Sequence, residues 1–90
     1  MDRTYKILSI LHRPSREERL DGRYPLRIGR VCRIGQIEVG KAMFLDYLYD
    51  ADGTPYNGTL RTSKVLKFTK EENHLLVETR NSIYVLEVME

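Results

Sequence analysis

The sequence predicts a mostly β fold: a small antiparallel barrel of five to six strands, SH3-like in architecture, that ends in a C-terminal β-hairpin. Short runs of β-branched and aromatic residues are separated by turn signals about every ten residues, and no long segment has the period of an amphipathic helix. The chain has 90 residues, enough for a single domain over residues 1–90. An OB-like barrel is the alternative, although the sequence offers no helix between the third and fourth strands, where that fold usually has one.

The first predicted strand covers residues 4–12, a short segment dominated by β-forming residues. Residues 13–22 follow as a solvated loop, because they contain Pro14, clustered charges and a single large apolar side chain. Ser15 and Glu18 have the spacing of a capping box, which allows one helical turn within this loop.

The second predicted strand covers residues 24–34. Alternation places five of its residues on one face, directed toward the core: Tyr24, Leu26, Ile28, Cys32 and Ile34. Arg30 breaks the pattern because it falls on this apolar face. Gly29, just before it, suggests a β-bulge that shifts the register at this point.

The middle of the chain continues the strand-and-turn pattern. Residues 35–40 form a loop bracketed by glycines, and residues 43–50 form the third and most aromatic strand. Residues 51–59 are rich in Asp-Gly and Asn-Gly signals and predict a turn region. Residues 60–69 form the fourth strand, and residues 70–74 form a polar turn.

The last predicted element is a hairpin over residues 75–88, with residues 81–82 as its two-residue loop. In this register Thr79 pairs with Tyr84, and the pairing continues outward from the loop. Six residues then share one face: Leu75, Val77, Thr79, Tyr84, Leu86 and Val88. Two strands that align their apolar residues about one turn predict a core-facing hairpin.

Amino-acid composition indicates the cellular location and the charge of a partner, but it does not indicate an activity. The single cysteine, Cys32, excludes an internal disulfide, and no segment has the apolar length of a signal peptide or a membrane span, so we expect a cytoplasmic protein. The charge is uneven: residues 1–33 carry nine basic and four acidic residues, whereas residues 34–90 carry six basic and nine acidic residues. This asymmetry favours an acidic or polyanionic partner for the first third of the chain.

Catalytic, metal and cofactor sites are not expected. The acidic run at residues 50–53 lacks the spacing of a calcium loop, because its glycine comes too early and the twelfth position is Arg61. His12, Cys32 and His74 lie on separate predicted elements, too few and too far apart for zinc. Cys32 also lies on the apolar face of a strand, where a thiol is usually inert.

The pattern that does indicate function is a combination of arginine and tyrosine. Small β-barrels bind nucleic acid by placing aromatic side chains beside a basic groove. The candidate surface consists of seven residues: Arg23, Arg27, Arg30, Arg33, Tyr47, Tyr49 and Tyr56. The same residue types favour protein interfaces, so docking of a protein partner, or of a second copy, on an exposed edge strand is the alternative.

The C-terminal segments "RTSKV" and "ETRNSIYVLE" resemble the ending of small uncharacterised bacterial or phage proteins with an SH3-like barrel. This resemblance covers about the last third of the chain and implies a fold rather than an activity. Within the pattern, Thr62 and Ser63 are expected to bond to the neighbouring loop backbone, and Asn81 is expected to shape the turn.

Overall fold

The computed structural model describes residues 3–89, which form six strands and one short helix. In chain order these are β1 (Arg3–His12), α1 (Tyr24–Arg27), β2 (Val31–Ile34), β3 (Ala42–Tyr49), β4 (Pro55–Glu71), β5 (His74–Thr79) and β6 (Ser82–Val88). No helix in this part of the chain has the length and apolar character needed to cross a membrane.

The six strands close into an antiparallel barrel in which each strand pairs with the next along the chain. β1 closes the ring: residues 3–6 pair with β2, and residues 5–12 pair with β6. The prediction of a mostly β, small antiparallel barrel is confirmed. The ring is closed rather than partly open, because the N-terminal and C-terminal strands are hydrogen-bonded neighbours.

The core fills the interior of this ring with one face of each strand. Its buried members are Tyr5, Ile7, Ile10, Cys32, Ile34, Met43, Leu45, Tyr47, Val65, Leu75, Val77, Tyr84 and Leu86. Alternation is clearest in β3 and β5, where every second residue is buried. These side chains pack together in a hydrophobic cluster, as expected for the interior of a small barrel.

The prediction of one continuous strand over residues 24–34 is wrong. Only the last four residues form β2, whereas Tyr24 begins the helix α1. Leu26, predicted to lie in the core, is 64% exposed, while Tyr24 and Ile28 pack partly against the core. Cys32 and Ile34 are buried as predicted.

Proline and glycine explain why this segment is not a strand. Pro25 occupies the start of α1, where its fixed φ suits a helical turn and its missing N–H is not needed. Gly29 has a φ of +89°, which an L-residue rarely adopts, and its N–H donates to the Ile7 carbonyl at 2.8 Å. The predicted irregularity at Gly29 is therefore a turn between α1 and β2 rather than a bulge within one strand.

β4 extends beyond both ends of the predicted range of 60–69 and has a different neighbour in each half. Its pairing with β3 runs over residues 55–64, and its pairing with β5 begins at Val65. The first half of β4 therefore has a neighbouring strand on one side only. This local gap in the ring lies beside the hairpin loop and α1, and it shapes the surface considered below.

The predicted hairpin is present and its core face is correct, but its register differs by two residues. Val77, not Thr79, pairs with Tyr84, and the loop is formed by residues 80–81. Thr79 closes this loop through its side chain: its Oγ1 accepts from the Ser82 N–H at 3.1 Å and donates to the Ser82 carbonyl at 2.9 Å. A shift of two residues keeps every side chain on its predicted face, which is why the burial pattern is as predicted.

Candidate nucleic-acid interface

A pocket of about 230 Å³ lies between α1 and the first half of β4. We call it the Arg30 pocket, and its lining residues are Arg23, Leu26, Arg27, Arg30, Tyr47, Tyr56, Thr59 and Leu60. α1 supplies the residues on one side, the end of β3 supplies Tyr47, and β4 supplies the other side. Five of the seven predicted binding residues therefore meet in one concavity.

Arg30 lies at the centre of this site, with a side chain that is only 13% exposed. Its Nε donates to Asp50 Oδ1 at 3.3 Å, while its guanidinium carbon lies 4.3 Å from the ring centroid of Tyr56 and 4.9 Å from that of Tyr47. The guanidinium is thus held by a carboxylate and by two aromatic rings at once. The hydrogen bond to Asp50 uses Nε, so the Nη groups are available as donors to a ligand.

Tyr47 is 7% exposed, and its hydroxyl is buried without a hydrogen-bond partner among the described residues. Burial raises the pKa of Tyr47, and the nearby Arg30 guanidinium opposes this rise. The ring meets Tyr56 edge-on, with 5.5 Å between centroids and an interplanar angle of 64°. An unpaired buried hydroxyl costs about 1–3 kcal/mol, so this group is expected to lower the stability of the fold.

Arg23 and Arg27 bring further positive charge to the rim of the pocket. The Arg27 guanidinium carbon lies 4.7 Å from the Tyr24 ring centroid, which holds the side chain against α1. Within residues 3–89 neither arginine has a carboxylate within ion-pair distance. Both are therefore free to neutralise an external anion.

Two predicted residues lie outside the pocket. Arg33 is exposed on β2 opposite Asp46, and Tyr49 is 47% exposed near the end of β3. Neither lines the Arg30 pocket. Alternation correctly places Arg33 on the outward face, but an outward direction on β2 leads away from α1 and β4.

Three lining residues are not among the predicted ones: Leu26, Thr59 and Leu60. Alternation assigns Leu26 to the core only if residues 24–34 form a strand, in which alternate residues face inward. Thr59 and Leu60 lie where a turn region and a strand are predicted to meet. Their position in the pocket depends on β4 starting at Pro55, which no local signal indicates.

Arg19 is a further residue that the sequence does not single out. Its Nη1 donates to Ser82 Oγ at 2.7 Å and to Tyr24 Oη at 3.2 Å, and its Nη2 pairs with Asp21 at 2.9 Å. The Arg19 guanidinium carbon also lies 4.0 Å from the Tyr24 ring centroid. Arg19 thereby connects the 13–22 loop, α1 and the hairpin loop. It contacts the neighbours of the Arg30 pocket and does not line the pocket itself.

The acidic residues near the third strand are engaged by other groups. Asp50 accepts from Arg30, Asp46 accepts from Thr59 Oγ1 at 2.9 Å, and Asp52 accepts from the Thr54 N–H at 3.0 Å. Hydrogen bonds from Thr54 lower the pKa of Asp52. None of the three lines the Arg30 pocket, but Asp50 and Asp46 bond to two residues that do, Arg30 and Thr59. Arg23 and Arg27 therefore carry the uncompensated positive charge of the pocket.

Cys32, the cysteine considered for nucleophilic chemistry and for zinc binding, is buried. Burial raises the pKa of the Cys32 thiol to about 12, so it remains protonated near neutral pH. Across residues 3–89 no three His, Cys, Asp or Glu side chains are grouped so as to hold a metal ion.

The chain shows no match to a family model, to a curated protein or to a solved structure. The resemblance of the C-terminal segments to SH3-like bacterial or phage proteins therefore stays a prediction. Of its structural details, Ser63 does bond to the loop, since its Oγ accepts from the Asn81 N–H at 3.2 Å. Thr62 instead accepts from the Met43 N–H at 3.0 Å, within the β3–β4 sheet.

Proposed function

We propose that this protein is a non-enzymatic module that binds nucleic acid through the Arg30 pocket. The observation that carries the proposal is the convergence of three arginines with Tyr47 and Tyr56 in a pocket that no acidic residue lines. Cationic and aromatic groups in one concavity are the combination that small barrels use for nucleic acid.

The arrangement favours an unpaired strand. Arg23 and Arg27 are placed to contact phosphate at the rim, while the exposed Leu26 and the partly buried Tyr56 offer apolar surface to a base. A pocket at the end of a barrel admits a base that is free of its partner, whereas a duplex presents only its backbone and groove edges. The Nη groups of Arg30 are then available for polar contacts to that base or its phosphate.

The test is a titration of labelled single-stranded and double-stranded oligonucleotides at two salt concentrations. Affinity is expected to fall steeply with salt, with a slope of roughly −0.7 for each phosphate contacted on a single strand. Arg23→Gln with Arg27→Gln should weaken binding, whereas the matched control Arg33→Gln with Lys70→Gln, which removes the same charge outside the pocket, should not. Absence of micromolar binding at low salt contradicts the proposal.

A protein partner, or a second copy of this chain, is the second candidate, and the local gap in the ring favours it. Among residues 3–89, β3 is the only strand that pairs with residues 55–64 of β4. The hairpin loop bonds to the far end of the other edge, where the Arg80 N–H donates to the Lys64 carbonyl at 3.0 Å, so we expect an added strand to pair with the remainder, residues 55–62. Arg27→Glu with Arg33→Glu should leave such an association intact, because backbone hydrogen bonds supply it. Sedimentation velocity of the wild type and this variant tests self-association, and a charge-dependent loss argues against the edge.

The cytoplasm is the location we propose for this module. The chain has a single cysteine, and its thiol is buried, which agrees with a reducing compartment without requiring one.

A further inference from the structure

A second groove, of about 690 Å³, lies on the outer face of β3 and β4 beside the hairpin loop. We call it the Phe44 groove, and the lining residues that matter here are Lys41, Phe44, Arg61, Lys64, Arg80 and Asn81. None of them belongs to the predicted binding surface, and four of them are cationic.

The charge of this groove is strongly positive. Its single acidic lining residue, Glu38, pairs with Lys41 at 3.6 Å. Arg61, Lys64 and Arg80 make no ion pair within the part of the chain that the structure describes. Three uncompensated cations in one concavity attract a polyanion far more than the net charge of +2 suggests.

The groove also holds an exposed aromatic ring. Phe44 is 50% exposed on the outer face of β3, directly opposite Arg61 on β4. A large apolar ring at this exposure gains by being covered, and a nucleobase covers it by stacking without any sequence requirement. Phe44 with its flanking cations therefore repeats the chemistry of the Arg30 pocket.

A third cavity adjoins both concavities. This cavity, of about 160 Å³, shares Arg27 and Leu60 with the Arg30 pocket, and it shares Arg61 and Ser63 with the Phe44 groove. It lies along the side of β4 that has no neighbouring strand, between α1 and the hairpin loop. The shared lining residues mark a route along β4 from one site to the other.

We propose that one single strand of nucleic acid occupies this whole path, from the Arg30 pocket to the Phe44 groove. Phosphates contact Arg23 and Arg27 at one end and Arg61 and Arg80 at the other, and a base stacks on Phe44. This inference rests on the proposed function and deepens it, because it makes the ligand an extended strand rather than a short or double-stranded one.

The test compares oligothymidylates of about 4 and about 12 nucleotides, both within the site sizes of small barrels. Arg61→Gln with Arg80→Gln should weaken the longer strand about tenfold at low salt and reduce its salt slope by about 1.4, the value for two phosphate contacts. The shorter strand should lose much less affinity in this variant, because with one base in the Arg30 pocket it has few phosphates left to contact the Phe44 groove. Arg33→Gln with Lys70→Gln is the control of equal charge.

Phe44→Ala provides an independent readout. It should weaken the longer strand and leave the salt slope unchanged, because stacking releases no counterions. Far-ultraviolet circular dichroism and thermal melting establish that each variant is folded. Since all of these side chains are exposed, their substitution is expected to change stability little.

The possible outcomes separate this inference from the function on which it rests. If the wild type binds neither oligonucleotide, both fail together. If it binds both but Arg61→Gln with Arg80→Gln behaves like the control, the Arg30 pocket remains and the extended path is overturned. If polyglutamate of equal charge competes as well as the longer oligonucleotide, the path recognises acidic polypeptide and the inference is also overturned.

Discussion

At the scale of single residues, Arg30 is a nearly buried side chain that also lines the candidate binding pocket. Its pairing with Asp50 and its stacking on Tyr47 and Tyr56 compensate for the loss of water around a charge that is 13% exposed. The apolar alternation of residues 24–34 could not indicate this, because Arg30 does not belong to a strand. Its partners come from β3, from the turn that follows it and from β4, all distant in sequence.

Tyr47→Phe tests whether the buried Tyr47 hydroxyl lowers the stability of the protein. Removing a buried hydroxyl that has no partner among the described residues should raise the free energy of unfolding by about 1 kcal/mol, since the desolvation cost disappears. The same change should alter oligonucleotide binding little, because a hydroxyl without exposed surface does not reach a ligand in the pocket. Urea denaturation and the oligonucleotide titration measure the two effects.

The control for this variant is Tyr49→Phe, which removes a hydroxyl from a side chain that is 47% exposed. It should change stability by less than about 0.5 kcal/mol and leave binding unaltered. A loss of stability in Tyr47→Phe would mean that the hydroxyl has a hydrogen-bond partner, and it would contradict this prediction.

Cys32 gives a prediction in the alkaline range. Its pKa is raised from 9.0 to about 12 in the folded protein, so between these values the unfolded chain loses a proton that the folded chain keeps. Stability should therefore fall by about 1.4 kcal/mol per pH unit above 9.0. Tyr84, with a pKa raised from 10.0 to about 12 by burial, should steepen the decline above pH 10.0.

Urea denaturation of wild type and Cys32→Ala across this range checks the linkage. The variant loses packing at every pH, but its stability should fall less between pH 9.0 and 10.0, because the titrating thiol is gone. Equal slopes for the two proteins would show that the thiol titrates alike when folded and unfolded.

At the scale of elements, the connection between α1 and β2 decides where the candidate site forms. Gly29 adopts a φ of +89°, and a Cβ there would lie 3.0 Å from the Ala51 Cβ. This close approach brings the chain after α1 against the turn that follows β3. The turn carries Asp50 toward Arg30, so the geometry of the pocket depends on one backbone position.

Gly29→Ala should therefore destabilise the protein more than Gly40→Ala. Gly40 has a φ of +93°, and a Cβ there would meet no atom within 4 Å, so alanine at this position has the backbone strain alone. We expect Gly29→Ala to lower the free energy of unfolding by about 1–2 kcal/mol more than this control. Chemical denaturation measures both, and equal effects would mean that Ala51 moves aside without cost.

The hairpin shows which part of an element local patterns predict. The period of two assigns Leu75 and Val77 to the core in any register that differs by an even number of residues. The choice between residues 80–81 and 81–82 as the loop depends on Thr79, whose hydroxyl makes both loop-closing hydrogen bonds with Ser82. The sequence shows that residue 79 is a threonine, but it does not show that the threonine hydroxyl, and not the backbone, makes the hydrogen bonds to Ser82.

At the scale of the whole molecule, the ring is closed but uneven. β6 has β5 on one side and β1 on the other, whereas the first half of β4 pairs only with β3. The sheet is therefore most completely hydrogen-bonded where the two ends of the chain meet. Both halves of β4 have one paired edge, and the candidate binding path runs along the first of them.

Native-state hydrogen exchange should reveal this difference. Amides within β6 should exchange slowly, because both of its edges are paired, while those of β4 residues 56–63 that face the unpaired side should exchange at least about tenfold faster. Saturating the protein with the longer oligonucleotide should slow the β4 amides selectively. Uniform protection of β4 before ligand is added would contradict the local gap.

Apolar alternation and turn chemistry are local properties, so they predict the fold class, the order of the strands along the chain and the inward face of most strands. The sequence also identified most of the Arg30 pocket, since arginine and tyrosine are recognisable wherever they lie. Which of these residues meet depends on the tertiary structure. It places Arg33 and Tyr49 outside the pocket and adds Leu26, Thr59 and Leu60 to its lining, while Arg19 bonds to the neighbouring Tyr24.

The distribution of charge illustrates the physical reason. Along the chain, residues 34–90 are net acidic, yet four of their six basic residues line the Phe44 groove: Lys41, Arg61, Lys64 and Arg80. Their acidic neighbours in sequence lie mostly outside it. Strand pairing between distant segments decides which residues are close together in a barrel, and local sequence patterns do not predict this pairing.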